Sequence, residues 1–260
     1  MAAINIQVSL RHYYRGHVND NLLDTLRQCA LEIRDAVSNH RGRGFSGQRP
    51  TQYHLDLAAD EVALRVLIGA GFRVVSEESG VSGRGDYTVV VDPIDGSTNC
   101  DHGIPFYATS LAVMRDDEII AGLVMNQATG TTFEAQKGAG ATRDGTAISS
   151  SGQTDVARSI MAFSGLPARH LGWAQYRALG AASLEICLVA DGSLDVYAVA
   201  QRSTLNSWDY LAGLLILREA GGVAGDYLGE HLESSDAVVR RPVFCASPEL
   251  LQFMLGQSEL

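Results

Sequence analysis

The chain has 260 residues, 46% of them hydrophobic, and a formal net charge of −10. That is enough apolar material for a large core in one or two domains, and the charge argues against a nucleic-acid partner, because no basic patch exists to neutralise phosphates. Lys137 is the only lysine against 19 arginines, which argues against a phosphate-loop lysine or a lysine Schiff base. No apolar leader and no run of 18 apolar residues occurs, so a cytoplasmic protein without a membrane span is expected. Its four isolated cysteines, Cys29, Cys100, Cys187 and Cys245, read as reduced core thiols.

The predicted elements alternate between helix and strand. Leu22, Leu23, Leu26, Cys29, Ala30, Ile33 and Val37 recur at helical spacing and make an amphipathic first helix. A Gly- and Arg-rich loop over 39–53 follows, then a second helix that starts near Asp56 and ends before Gly69 to Gly71, burying Val62, Leu64 and Leu67. A short strand at 73–77 ends in the pair Glu77-Glu78 and leads through a glycine-rich turn at 80–85 to Tyr87-Thr88-Val89-Val90-Val91. That run is too short for a helix and too apolar for an edge, so it reads as a central strand. Residues 107–115, 119–127 and 131–136 read as antiparallel meander strands, with Asp116-Asp117 as one turn. The polar stretch Ser149 to Gln153 is the one composition break, a boundary between an N-terminal half, 1–150, and a C-terminal half, 151–260, that completes one structural unit. Beyond it come a helix at 181–190, a strand at 194–199, a helix opening near Asp209 and closed by Gly221-Gly222, and short strands up to Ala246.

The central strand runs into Asp92-Pro93-Ile94-Asp95-Gly96-Ser97-Thr98-Asn99. Two carboxylates three positions apart with a carbonyl between them are hard oxygen donors of the kind Mg²⁺ takes. The N–H groups of Gly96, Ser97 and Thr98, where a helix could begin, would face an anion. A metal seat joined to a phosphate seat is what a metal-assisted phosphatase needs. The competing reading is an ordinary Asp-Pro turn closing a strand. Glu77, at the end of the preceding strand, and Asp209, in the first turn of the helix opened by Ser207-Trp208, complete an acidic cluster if the two strands are neighbours.

With these residues in this order, from about Asp56 to Gly225, the chain resembles the inositol monophosphatase family of the Mg²⁺-dependent, Li⁺-sensitive phosphatases. It resembles most its prokaryotic branch, which also hydrolyses fructose 1,6-bisphosphate. The resemblance implies an α/β (mixed α+β) fold, a layered αβαβα sandwich of the sugar-phosphatase type, with the active site where the halves meet. It implies two to three Mg²⁺ ions: Glu77, Asp92 and the Ile94 carbonyl on the first, Asp92, Asp95 and Asp209 on the second, Glu77 on a looser third. Ser97 would orient the attacking water, polarised by Asp60, although the threonine of the family's threonine-x-x-Asp pattern is replaced in Leu57-Ala58-Ala59-Asp60. A first-turn acid favourable to the helix dipole is the alternative for Asp60 and for Asp209.

Substrate contacts implied by the resemblance are Asp95, Gly96, Ser97, Thr98, the N–H groups of Gly180-Ala181-Ala182, and Asp209. The family's inositol-binding glutamate falls near Val199, which cannot accept a hydrogen bond. Arg202, in a longer segment before Asp209, could reach a second phosphate or another polyol, or be a solvated loop charge. Arg43 or Arg49 could replace a lysine that relatives carry in the 41–50 loop. The formal Gly42-x-Gly44-x-x-Gly47 fingerprint follows a helix rather than a strand and is discounted. None of the histidines (His12, His17, His40, His54, His102, His170, His231) has ligand spacing; His102 could line the pocket.

The expectation is therefore a phosphoric monoester hydrolase acting on a small phosphorylated metabolite, first inositol 1-phosphate, with fructose 1,6-bisphosphate as the same-class alternative, and a homodimer, as relatives commonly are. The branch acting on 3′-phosphoadenosine 5′-phosphate fits less well, because Thr98-Asn99-Cys100 stands where it continues with Lys-Glu-Phe. The other-class alternative is a catalytically silent metal-binding homologue acting as a regulatory or interaction protein.

Overall fold

The structure, a computed structural model, describes residues 22–40, 42–257 and 259; His12 and His17 lie outside the described residues. Helix α1 (Leu22–Asn39) buries Leu22, Leu26, Cys29, Ala30 and Ile33 along one stripe, the spacing an amphipathic helix needs to face a core. Helix α2 (His54–Gly69) packs on α1. It starts two residues before the expected Asp56, because Asp56 is the capping acid: it accepts the Tyr53 N–H at 2.8 Å. Its buried face runs through Asp56, Ala59, Asp60, Ala63 and Leu67, not through Val62 and Leu64, which lie half-buried beside it. The two alanines let the helix approach its neighbours closely and carry two acids into the interior one turn apart.

The first sheet has the order β2-β1-β3-β4-β5-β6-β7-β8, with β1 (Arg73–Ser76), β2 (Gly80–Gly83), β3 (Thr88–Asp95), β4 (Ala108–Arg115), β5 (Glu118–Asn126), β6 (Thr132–Gln136), β7 (Ala141–Arg143) and β8 (Thr146–Ala147). The expected meander is β4-β5-β6, each strand within a residue of its predicted bounds. Part of the expected turn at 80–85 is instead strand β2, hairpinned antiparallel on β1. Among the described strands of this sheet, only β1 and β3 run parallel. Along β3, Val89 and Val91 join the core under α1 and α2, while Val90 joins the core on the opposite face. Burial on both faces explains an apolar run without polar alternation.

Between β3 and β4 lies the short helix α3 (Ser97–His102). The second half begins with a 3₁₀ turn (Val156–Arg158) and builds β9 (Ile160–Ser164), β10 (Gln175–Arg177), α4 (Ala182–Ala190), β11 (Val196–Val199), β12 (Leu205–Asn206), α5 (Ser207–Glu219), β13 (Val223–Asp226), β14 (Val239–Arg240), β15 (Pro242–Cys245) and α6 (Pro248–Leu255). The second sheet has the order β10-β9-β11-β15-β13, and β12 pairs with β14 separately. Helices α4 and α5 pack on each other and touch both sheets; α6 covers the outer face of β13 and β15. The layers are thus helix, sheet, helix, sheet, helix, as the sandwich requires. Being flanked by sheets on two sides, α4 and α5 are buried almost all round and have no polar stripe. The central core joins Val75, Val90 and Phe133 to Leu184, Tyr210 and Phe244, so it continues across residue 150. Among the described residues no helix is long and apolar enough to cross a membrane.

Candidate active site

The acidic cluster is assembled by strand register. Because β1 and β3 run parallel with Ser76 opposite Val91, the Glu77 N–H donates to the Val91 carbonyl at 3.1 Å and Glu77 emerges beside Asp92. Asp92 pairs with Ser110 of β4 and Asp95 with Ala108, so β3 spends three residues where β4 spends two. In a regular strand, residues three apart face opposite sides; the extra residue of this bulge restores the phase, so that Asp92 and Asp95 share a face. Pro93 suits the bulge because it has no N–H to leave unpaired, and its carbonyl accepts the Thr109 hydroxyl at 2.8 Å. Asp209 arrives from the third position of α5, where it accepts the Asn206 N–H at 2.6 Å.

Electrostatics show how tightly these groups are placed. Burial, then the neighbouring Glu77, Asp95 and Asp209 charges, push the Asp92 carboxyl well above its ordinary range. Asp209 is pushed well up by burial and by Asp95 and Glu77. Burial and Glu78 raise Glu77 to about 7, and it shares a hydrogen bond with Asp92. Asp95 rises to about 6 through burial, held down by Ser183 and Ala182: it accepts the Ser183 hydroxyl at 2.5 Å, the Ser183 N–H at 2.7 Å and the Ala182 N–H at 3.2 Å. A carboxylate on the first turn of α4 is the arrangement that the helix dipole favours.

Cations would relieve this repulsion. Asp92 Oδ1 is buried with no hydrogen-bond partner, an orphan that a hard cation would satisfy, and the donors are all oxygens, the set Mg²⁺ prefers. Among the described residues no three acidic, His or Cys side chains stand at the spacing one ion demands, so the fit rests on donor chemistry.

The second-helix acids divide differently from expectation. Asp60 accepts the hydroxyls of Ser76 at 2.5 Å and Ser79 at 3.2 Å, and the expected bond from Ser97 is not among its contacts. Asp56, one turn earlier, keeps Oδ1 buried and unpartnered, on a helix that packs on α3. Burial, then the Glu78 and Glu77 charges, raise it to about 7. Glu78 is paired with Arg49 and Gln52, and Arg49 also donates to the Glu77 carbonyl at 3.2 Å, so Arg49 is the loop cation that reaches the cluster. Arg43 is exposed.

At the start of α3, Gly96 has a φ of 83° and would place a Cβ 2.9 Å from the Gly180 carbonyl, so only glycine fits. The first N–H groups of a helix have no main-chain acceptor of their own, and here these belong to Ser97 and its neighbours. Thr98 shares a hydroxyl hydrogen bond with Tyr53 at 3.2 Å. His102 is exposed and its ring nitrogen lies 2.9 Å from the Thr98 carbonyl; it does not line the cleft.

A cleft of about 310 Å³ opens beside Asp95 and Asp209 and is lined further by Ser164, Tyr197, Glu185 and the strap Ala178–Ala182. The strap's N–H groups, expected to meet substrate hydroxyls, are largely spent on carboxylates: Leu179 and Gly180 donate to Glu185 at 3.0 and 3.3 Å, and Ala182 donates to Asp95. Asn99 ties α3 to the same strap, donating to the Leu179 carbonyl at 2.8 Å. Arg202 is exposed on the turn after β11 and does not line the cleft, and Val199 is wholly buried in the sheet. The segment from Val199 to Asp209 therefore brings no cation to the cleft.

Asp56, Ser183 and Glu185 escaped the sequence reading. Asp56 carries a signal in retrospect, since it sits four residues before Asp60 and shares its helix face. Ser183 and Glu185 lie in an apolar run whose burial on all sides hides any polar face. A model of the inositol monophosphatase family matches residues 24–258. A fructose-1,6-bisphosphatase/inositol-1-monophosphatase of Archaeoglobus fulgidus is 34% identical over 218 residues, 79% of this chain and 84% of that one. A Nus factor SuhB of Pseudomonas aeruginosa is 32% identical over 200 residues, 68% of this chain and 72% of that one. Among solved structures, a Pyrococcus horikoshii protein described by its similarities to inositol-1 monophosphatase superposes with a TM-score of 0.78 at 27% identity, over 90% of this chain and 98% of that one.

Proposed function

The chain belongs to the inositol monophosphatase family, and from that premise we propose that it is a Mg²⁺-dependent phosphatase of small phosphate monoesters, inositol 1-phosphate first among them. The observation that supports this most is the bulge that turns Asp92 and Asp95 onto one face, beside Glu77 and Asp209. Glu77, Asp92, Asp95, Asp209 and the Ile94 carbonyl would hold two to three Mg²⁺ ions, which when bound supply an acidified water and offset charge on the phosphoryl and leaving-group oxygens. The first-turn N–H groups of α3, with the Thr98 hydroxyl, bind the phosphate. The Ser97 hydroxyl orients the attacking water in line with the leaving oxygen. Asp56 replaces Asp60 as the proton acceptor behind Ser97: its free oxygen is buried beside α3, and a carboxyl raised to about 7 is matched to proton transfer near neutrality.

The cleft walls give the polyol hydroxyls acceptors in Asp95 and Ser164. Fructose 1,6-bisphosphate is the alternative substrate, after the double name of the Archaeoglobus relative. A second reading, a regulatory protein, is favoured by the relatives named Nus factor SuhB; all four carboxylates being present weighs against loss of turnover. We place the protein in the cytoplasm as a homodimer. Release of p-nitrophenol from p-nitrophenyl phosphate by the purified chain, abolished by chelation and restored by Mg²⁺, is expected. No Mg²⁺-dependent release would overturn the phosphatase reading.

A further inference from the structure

We propose that Glu185 is the specificity-determining residue of the cleft, selecting monoesters of an uncharged polyol against substrates carrying a second phosphate. This rests on the phosphatase reading above. Glu185 belongs to the first turn of α4 and is 1% exposed, yet it is part of the cleft wall, with Asp95 and Asp209. Its carboxylate takes the Leu179 and Gly180 N–H groups, one on each oxygen. Gly180 lines the cleft and its N–H is a donor a phosphate there would otherwise use, so the strap is already occupied by an internal anion. Among the described residues, no lysine, arginine or histidine lines the cleft, and Arg202, the cation expected to meet a second phosphate, lies outside it.

What the cleft does offer a ligand is acceptors and hydroxyls: Ser164, Tyr197 and the carboxylates. These match the O–H groups of a polyol, which donate. A second phosphate would find its backbone donors taken and a fixed negative charge behind them, in a buried setting where charges are weakly screened. Buried as it is, Glu185 acts through its charge and through the strap it holds, without touching the ligand. It is a positioning residue.

The two modes are separable. Glu185→Gln removes the charge while keeping length and one acceptor; Glu185→Asp keeps the charge but is one methylene shorter, weakening the hold on Leu179 and Gly180. The experiment measures kcat/KM at mildly alkaline pH with saturating Mg²⁺ for inositol 1-phosphate and fructose 1,6-bisphosphate, in wild type and both variants, with melting curves to report folding. The wild type is expected to favour the monophosphate. Glu185→Gln should raise the bisphosphate-to-monophosphate ratio about tenfold or more, chiefly through a lower KM for the bisphosphate, and Glu185→Asp should return the ratio towards wild type. If Glu185→Gln leaves the ratio unchanged, or if both variants depress the two substrates in parallel, Glu185 is only a brace and the inference fails. A wild type that cleaves p-nitrophenyl phosphate but prefers the bisphosphate also overturns it. A wild type inactive on every ester, including p-nitrophenyl phosphate, overturns the phosphatase reading and this inference with it.

Discussion

Replacing Ser183 by alanine isolates one hydrogen bond of the acidic cluster. Its hydroxyl donates to Asp95 Oδ2 at 2.5 Å, with both residues buried, so water has little room to replace it. Two backbone donors from Ser183 and Ala182 remain and keep the carboxylate oriented. The lost bond favours the charged form of Asp95 over the neutral one. A hydrogen bond to a charged group contributes about 1.5–3 kcal/mol, and one pKa unit corresponds to about 1.4 kcal/mol. Asp95, already raised to about 6 by burial, should therefore become harder to ionise by roughly one to two pH units. The sign is upward, because a donor that favours the anion has gone. Mg²⁺ binding needs the ionised carboxylate, so at limiting Mg²⁺ the acid limb of p-nitrophenyl phosphate hydrolysis should move up by about that amount, with activity recovering towards wild type at alkaline pH. An acid limb that stays in place, or a loss of activity equal at every pH, would refute the assignment of this bond to the metal-binding form of Asp95.

Asp92→Asn should lower kcat by several orders of magnitude while sparing the fold. It should also remove most of the rise in melting temperature that Mg²⁺ gives the wild type by binding the native state; a variant retaining a tenth of wild-type activity would contradict the two-ion arrangement. Ser97→Ala should lower kcat by roughly 10²–10⁴ with Mg²⁺ dependence little changed, and Ser97→Thr should be tolerated. A loss confined to about 1 kcal/mol of stability would instead mark Ser97 as a helix cap. Under chelation, Asp56 and Glu185, both raised to about 7 by burial, bind protons in the folded state that they release when unfolded. The stability they contribute is complete at low pH and is lost as pH rises through about 7. The chelated protein should accordingly melt lower at pH 8 than at pH 5, and Mg²⁺ should reverse the trend; a melting temperature that rises over that interval would show that these carboxyls are not raised.

The parts of this protein that were legible in its sequence are those with a local cause. The periodicity of Leu22 to Val37 and the apolar run Val89-Val90-Val91 each specify an element whose burial follows from spacing alone. The cluster Glu77, Asp92, Asp95 and Asp209 was legible because strand ends and helix starts are marked by residue type. In the second helix, a start read at Asp56 hides its capping role, and Asp60 is taken up by the hydroxyls of Ser76 and Ser79. The strap was unreadable for a different reason. Whether the Ala182 N–H faces a ligand or the Asp95 carboxylate depends on where α4 docks against β3, a tertiary fact with no local signature. The same holds for Arg202, whose distance from the cleft depends on how the turn after β11 leaves the sheet.

The single extra residue in β3 has a bearing on how such a chain can change over time. Up to it, Val89, Val90, Val91 and Asp92 obey the alternation that the two cores demand; beyond it, Asp95 obeys a count displaced by one. Folding and chemistry are therefore written in two reading frames on the same strand. A lineage that lost one residue between Asp92 and Asp95 could keep every core valine in place and still turn one acid away from the other. An outwardly intact relative can thus fall silent without unfolding, and a dormant one could be reawakened by an insertion rather than by a new side chain.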